Sequence, residues 1–182
     1  MNELSIVHYC HPNCSPLNSI TRMSKSDAFA KAKELSDSHS GTAFGRFADF
    51  DHYYPKRIET EEWLYHGFLK LGGQPETKHP LYFVLQGNDF LFHWFDKGEI
   101  VTIPLHRISP AHISFTFGDS MAKFDTRERR DPFGKEQLME LLHDFHGDVD
   151  LFLGSVKEQY NYIEVQLWSD VYVEEWLGRM AE

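Results

Sequence analysis

Residues 81–117, LYFVLQGNDFLFHWFDKGEIVTIPLHRISPAHISFTF, decide the fold. Directly after Pro80, Leu81 to Gln86 is an apolar run with the length and the aromatic and β-branched character of a buried strand. Phe90 to Phe95, Glu99 to Leu105 and His112 to Phe117 read as further strands. Asp96-Lys97-Gly98 separates the middle two, with glycine where a hairpin bulge needs positive φ. Runs in this order predict a β-meander, although a short helix also explains Phe90 to Phe95.

C-terminal to this centre, residues 119–131 read as a long charged loop. Leu138, Leu141, Leu142 and Phe145 then mark a helix stopped at Gly147. Asp148 or Asp150 can cap the next helix, whose inner face carries Val149, Phe152, Val156 and Tyr160. Tyr162 to Trp168 alternates: Ile163, Val165 and Leu167 point one way, and Tyr162, Glu164, Gln166 and Trp168 the other. A last helix would carry Val173, Trp176, Leu177 and Met180.

On the N-terminal side, Leu4 to Tyr9 suits a short strand, followed by a loop holding Pro12 and Pro16. Ser24 and Asp27 have capping-box spacing ahead of Ala28, Ala32 and Leu35, which recur at helical intervals. Gly41 closes that helix, and a strand is expected over Thr42 to Phe47. Thr60 suits an N-cap, with Glu61 and Glu62 at the positive end of the helix dipole. Leu64, Phe68 and Leu71 follow at i, i+4 and i+7, and Gly72-Gly73 supplies the stop. Strands in the middle and helices toward both ends predict one α+β domain over residues 1–182, with a mostly antiparallel sheet.

Composition agrees with a packed globule: 41% of the 182 residues are hydrophobic and 15% aromatic. The net charge of -10 repels phosphate backbones and anionic lipid heads, so neither a nucleic acid nor a membrane is an expected partner. The one basic cluster, Arg127, Arg129 and Arg130, is broken by Glu128 and followed by Asp131. Cys10 and Cys14 are too few to staple a chain of this size. The opening Met-Asn-Glu-Leu-Ser lacks the features of a signal peptide, and no apolar run reaches the ~20 residues of a membrane span. A cytoplasmic location is the expectation.

Several stretches could carry chemistry. His8, Cys10, His11 and Cys14 are zinc-type ligands within seven residues, but their spacing fits no zinc-finger framework, and no metal is expected. His143 and His146 share a helix face, where the ordinary reading is that they complement the negative helix end. Residues 46–57, RFADFDHYYPKR, alternate charged and aromatic side chains in what reads as a loop. There Arg46, Asp49, Tyr53, Tyr54 and Arg57 are ligand-binding candidates, guanidinium groups gripping an anion and rings stacking on a planar group. Glu164 and Gln166, bracketed by Tyr162 and Trp168, suggest either a cleft floor or a solvated sheet face. Gly118-Asp119-Ser120 is a further loop candidate. No GxSxG, P-loop, GxGxxG or HExxH signature occurs.

Three phrases, Gly45 to Pro55, His79 to Gly87 and Ile113 to Ser120, resemble a family of functionally uncharacterised bacterial proteins of the Bacillus type, a resemblance that implies no activity. A fainter likeness is to ADP-ribosyltransferase-like folds, which place a histidine on an early strand, a mid-chain tyrosine and a glutamate on a late strand around NAD. It implies His8 and Glu164 as catalytic residues, with the tyrosine open among Tyr53, Tyr54 and Tyr82. The chain departs from that pattern in lacking a clear Ser-Thr-Ser strand.

Two functions follow as expectations. The first is a binding or regulatory domain without a cofactor, whose partner is a small molecule or a protein. The second is an NAD- or nucleotide-dependent transferase or hydrolase, with His8 orienting a ribose and Glu164 stabilising positive charge at the reacting carbon. Neither ligand identity nor oligomeric state is legible in the residues.

Overall fold

The computed structural model describes residues 3–122, 126 and 129–174. Of the predicted last helix, Trp176, Leu177 and Met180 lie outside the described residues, as do Arg127 and Glu128 of the basic cluster, while Val173 is described and buried. The fold is α+β, built on a six-stranded sheet whose strands pair antiparallel throughout. The strands are β1 (Ser5–Tyr9), β2 (Leu81–Leu85), β3 (Ile100–Pro104), β4 (Ile113–Phe117), β5 (Phe133–Gly134) and β6 (Ile163–Leu167). Their order across the sheet is β3-β1-β2-β6-β4-β5.

That order corrects the expected meander. β2 does not pair with β3 or β4; β1 inserts on one side of it and β6 on the other. The reason is burial: β6 is buried at every position, which suits a central strand and not an edge.

The helices are α1 (Lys25–Ser38), α2 (Phe50–Lys70), α3 (Asp89–Trp94), α4 (Lys135–Asp144) and α5 (Val149–Tyr160). Ser24 caps α1 as its spacing predicts, its side chain accepting from the Asp27 N–H. Asp148, not Asp150, caps α5.

Phe90 to Phe95 is helical, not extended. Asn88 accepts the Leu91 N–H at 3.1 Å and so starts α3, and the chain leaves it through Asp96 and Lys97, both at positive φ. Gly98 is therefore not the left-handed residue of a hairpin; a side chain there would collide with the Cys10 carbonyl oxygen.

Thr42 to Phe47 is likewise no strand. Ala43–Asp49 forms a 3₁₀ helix capped by Thr42, and at three residues per turn Phe44 and Phe47 fall on one buried side.

The largest correction concerns α2, which begins ten residues before Thr60 and absorbs most of the supposed loop over residues 46–57. Its buried residues include Phe50, Arg57, Glu61, Leu64 and Phe68, a single stripe at helical spacing in which two members are charged. Pro55 sits inside this helix on its exposed side. It removes one intrahelical bond, and the aromatic packing of Phe50, Tyr53 and Tyr54 against Phe29, Phe44 and Phe47 holds the turn in place.

The two faces of the sheet differ in chemistry. One bears Ile6, Leu85, Phe115 and Val165 and packs with Leu138, Leu142, Phe152 and Val156 of α4 and α5 as the apolar core. The other bears Tyr82, Glu164, Gln166 and Trp168; there Leu64 and Phe68 of α2 meet Trp168, whose indole stacks on Phe68 at 5.7 Å. The alternation read over Tyr162 to Trp168 holds, but Glu164 and Gln166 are buried, so this is no solvated face. No helix of the described residues is long and apolar enough to cross a membrane.

Candidate functional site

Between the polar sheet face and the α2 side of the molecule lies a cavity of about 390 Å³. Its wall on the helical side carries Arg46, Phe47, Tyr53 and Arg57. His8, Tyr82, Tyr162 and Glu164 come from the sheet, Trp94 and Phe95 from the end of α3, and Asp119 from the loop after β4. Residues from the two separate sequence candidates thus meet in one space.

The polar wall is organised by Glu61, a buried carboxylate. Its Oε1 accepts from Thr21 Oγ1 at 3.1 Å, Arg57 Nε at 3.0 Å and the Tyr82 hydroxyl at 3.2 Å, and its Oε2 from His79 Nδ1 at 2.6 Å. Burial favours the neutral acid, but the His79 hydrogen bond and the Arg57 charge outweigh it and hold the carboxyl below its ordinary range. Glu61 in turn holds Arg57, whose guanidinium carbon lies 3.7 Å from the centroid of the Tyr82 ring. Burial opposes the Arg57 charge, and the Tyr82, Tyr53, Glu61 and Glu164 groups around it keep it firmly protonated. Its two terminal nitrogens form no hydrogen bond with the described residues and are not sealed from the cavity.

Glu164 faces the same space from β6, paired across the sheet with Val84 and Thr116. Its Oε1 accepts from Gln166 Nε2 at 3.1 Å and from the Ser120 N–H at 3.4 Å. Burial, reinforced by Asp119, pushes its carboxyl up to about 7 against the opposing pull of Arg57. Burial also raises the Tyr162 hydroxyl well above its ordinary range, so it stands in the cavity as a neutral phenol. A carboxyl poised near neutrality in a cleft is a common property of functional sites.

His8 lines the cavity with both ring nitrogens occupied. Nδ1–H donates to the Tyr82 carbonyl at 2.8 Å, and Nε2 accepts the Leu17 N–H at 3.1 Å. Burial lowers its affinity for a proton, consistent with a neutral ring of fixed tautomer. It shapes the wall and offers a ligand no free nitrogen.

Arg46 is exposed at the mouth, with its guanidinium carbon 5.5 Å from Phe47, 5.7 Å from Tyr53 and 5.3 Å from Trp94. Asp49, Tyr54 and Gln166, and Gly118 and Ser120 of the loop candidate, do not line the cavity. Asp49 is exposed and accepts from His52 Nδ1 at 2.9 Å. Tyr54 packs against Phe29 and Phe50. Gln166 is fully buried behind Glu164, bonded to Ser114 and Thr116.

Cys10, His11 and Cys14 also border the cavity, but Cys10 gives its thiol hydrogen to backbone carbonyls, and no group of three or more His, Cys, Asp or Glu among the described residues has metal-holding geometry. His143 and His146 are exposed.

Sequence reasoning missed Glu61 and Trp94 as site residues; Tyr82 was one of its three candidate tyrosines, and it lines the cavity together with Tyr53. Glu61 carried a signal, since Arg57 and Glu61 stand at i and i+4 in register with Leu64 and Phe68. Comparison with protein families, characterised proteins and solved structures finds no match for this chain.

Proposed function

We propose that this chain is a small-molecule-binding domain whose ligand occupies the cavity between α2 and the sheet. One observation carries the reading: Arg57 is buried, locked by Glu61 and Tyr82, and still keeps both terminal nitrogens open to the cavity. A guanidinium held this firmly costs no further ordering when a ligand arrives. The volume lies in the range of small-molecule sites, and rings mixed with a few convergent polar groups are their usual lining. A protein partner fits less well, because the open polar groups sit inside the crevice and not on its rim.

A thermal-shift and ligand-observed NMR screen of metabolites and nucleotides tests this. The expected result is a class of compounds that raises Tm in the wild type and loses affinity in Arg57→Met and in Trp94→Ala. Ligands that bind both variants as well as wild type would place binding elsewhere, and no ligand at all would remove the reading.

A second reading, an NAD-dependent transferase, draws on one observation: His8 and Glu164 border the same cavity. Its test is nicotinamide release from NAD that disappears in Glu164→Gln. The occupied nitrogens of His8 restrict that residue to a shaping role, which weighs in favour of simple binding.

A further inference from the structure

Arg57 and Glu164 are both buried and border one cavity, yet they form no ion pair with each other. Arg57 has Glu61 as its ionic partner, whereas Glu164 has no cation within ion-pair distance among the described residues; a buried carboxyl so placed is costly to charge, and the space between it and the open Arg57 nitrogens suits a group that joins them. What that group is follows from the atoms each leaves open.

Arg57 offers only donors, its terminal N–H groups. Glu164 is more informative. A buried ladder runs across the sheet toward it: Trp168 Nε1 donates to Ser114 Oγ at 2.9 Å, and Ser114 Oγ donates to Gln166 Oε1 at 2.9 Å. Gln166 Nε2 then donates to Glu164 Oε1. The Ser120 N–H reaches the same oxygen. Oε1 is therefore an acceptor twice over, and Oε2, with no hydrogen bond to the described residues, is where a proton on this carboxyl resides.

The surrounding groups favour that proton. Asp119 repels negative charge from the loop after β4. Tyr82 on β2 gives its hydroxyl to Glu61, not to Glu164. Tyr162, on the same chain segment as Glu164, has a phenol without a hydrogen bond to the described residues. His8 on β1 is neutral; the Arg57 charge on α2, shared with Glu61, and the hydrogen bonds from the Ser120 N–H and Gln166 oppose the proton but do not outweigh burial. Burial already pushes Glu164 up to about 7, and an anion beside it would push further in the same direction.

Building on the small-molecule reading, we propose that the ligand's polar head is a singly charged carboxylate, bridging the terminal N–H groups of Arg57 and a protonated Oε2 of Glu164, with a planar apolar body against the rings of Tyr53, Trp94 and Tyr162. One negative charge suffices, because Glu61 already answers part of the Arg57 charge and Asp119 repels a second. A neutral amide edge is the competing chemistry: it would donate to an ionised Glu164, and it reverses the expected pH dependence.

The matched probes 2-naphthoate and 2-naphthamide decide between them, titrated by NMR into the full chain. Naphthoate is expected to bind more tightly than naphthamide. Uptake of one proton with a midpoint near neutrality weakens naphthoate about tenfold between about pH 6 and about pH 8. Glu164→Gln, whose amide N–H stands in for the carboxyl O–H, is expected to keep naphthoate binding and flatten that profile. A purely structural role for Glu164 would leave the profile unchanged. Arg57→Met is expected to abolish naphthoate binding; should it fail to fold, the Glu164→Gln profile decides alone. Equal affinity for the two probes, or naphthoate affinity that does not vary with pH in the wild type, overturns the carboxylate assignment. If neither probe perturbs the Trp94 and Tyr162 signals while the metabolite screen yields a ligand, this inference falls and the small-molecule reading stands. If the screen is empty as well, both fall.

Discussion

Arg57 and Tyr82 are joined twice, by stacking of the guanidinium on the ring at 3.7 Å and through one shared acceptor, Glu61 Oε1, which takes a hydrogen bond from each. The three side chains close a triangle between α2 and β2. Each side of it lies in a low-dielectric interior, where such bonds polarise one another and the loss of one member strands the others.

Glu61→Gln tests the triangle. The substitution keeps the shape of the side chain but withdraws the charge facing Arg57 and His79, leaving a buried guanidinium unpaired. The expected loss is about 3 kcal/mol or more in urea unfolding. Tyr82→Phe removes a single neutral donor and should cost about 1 kcal/mol. The double variant should lose less than the sum, because the two changes share one oxygen. Strict additivity would mean that the three groups do not act as a unit.

Glu164 makes stability depend on pH. Its folded value of about 7 stands above its ordinary 4.5. Below 4.5 both states hold the proton. Between the two values the unfolded chain releases a proton that the native state keeps, so stability falls as pH rises, and above about 7 the loss is complete. Glu164→Gln cannot ionise and should be more stable than wild type at alkaline pH, by on the order of 2–3 kcal/mol, with little difference at acid pH. Urea midpoints for both proteins across that range provide the measurement; parallel curves would show that Glu164 titrates normally.

The pattern of what the sequence revealed has one physical cause. Apolar periodicity located α1, α4, α5 and β6 because each has one apolar face at regular spacing, and Ser24 and Asp148 cap α1 and α5 three residues ahead of the N–H they accept. The same rule found α2 only from Thr60 onward and missed its first ten residues. Its stripe includes Arg57, Thr60 and Glu61, which count as polar and break the pattern, and Pro55 looks like a terminator although it faces solvent. Residues 46–57 were therefore legible as a place for ligand chemistry through their arginines and rings, but not as a helix. Glu164 was visible as a cleft candidate; its burial was not, because the first turns of α2, which bring Arg57 to the same cavity, had not been recognised as helix. Strand order depends on long-range pairing, and nothing in residues 81–117 reveals that β1 and β6 flank β2.

Two glycines separate local freedom from close packing. Gly98→Ala forces a methyl group into the Cys10 carbonyl oxygen and the Pro12 nitrogen, both backbone, and into the Pro12 Cδ that the ring ties to that nitrogen, so none of them can swing away. It should destabilise the fold by about 2 kcal/mol or more, as other overpacking changes do. Gly41→Ala meets nothing within 4 Å, and should be neutral or slightly stabilising through the unfolded state. Equal midpoints for the two variants would contradict the close approach of the turn after α3 to the end of β1.

The cysteines bordering the cavity complete the account of where its chemistry lies. Cys10 is buried and gives its thiol hydrogen to the carbonyls of His11 at 3.4 Å and Cys14 at 3.2 Å. Burial, with smaller contributions from Cys14 and Glu99, pushes its thiol up to about 12; burial raises Cys14 as well. The thiolate is the reactive form, so at mildly alkaline pH Cys10 should react with iodoacetamide about a thousandfold more slowly than an ordinary thiol, before limited access is counted. In the native protein, mass spectrometry should find Cys14 modified first and Cys10 only after unfolding in urea. Rapid native labelling of Cys10 would reveal a thiolate that this environment disfavours, and would make it a nucleophile candidate in the cavity. The slow result would leave Arg57, with its open N–H groups, and Glu164, with its open Oε2, as the groups that carry the binding reading, and the transferase reading shares only Glu164 with it.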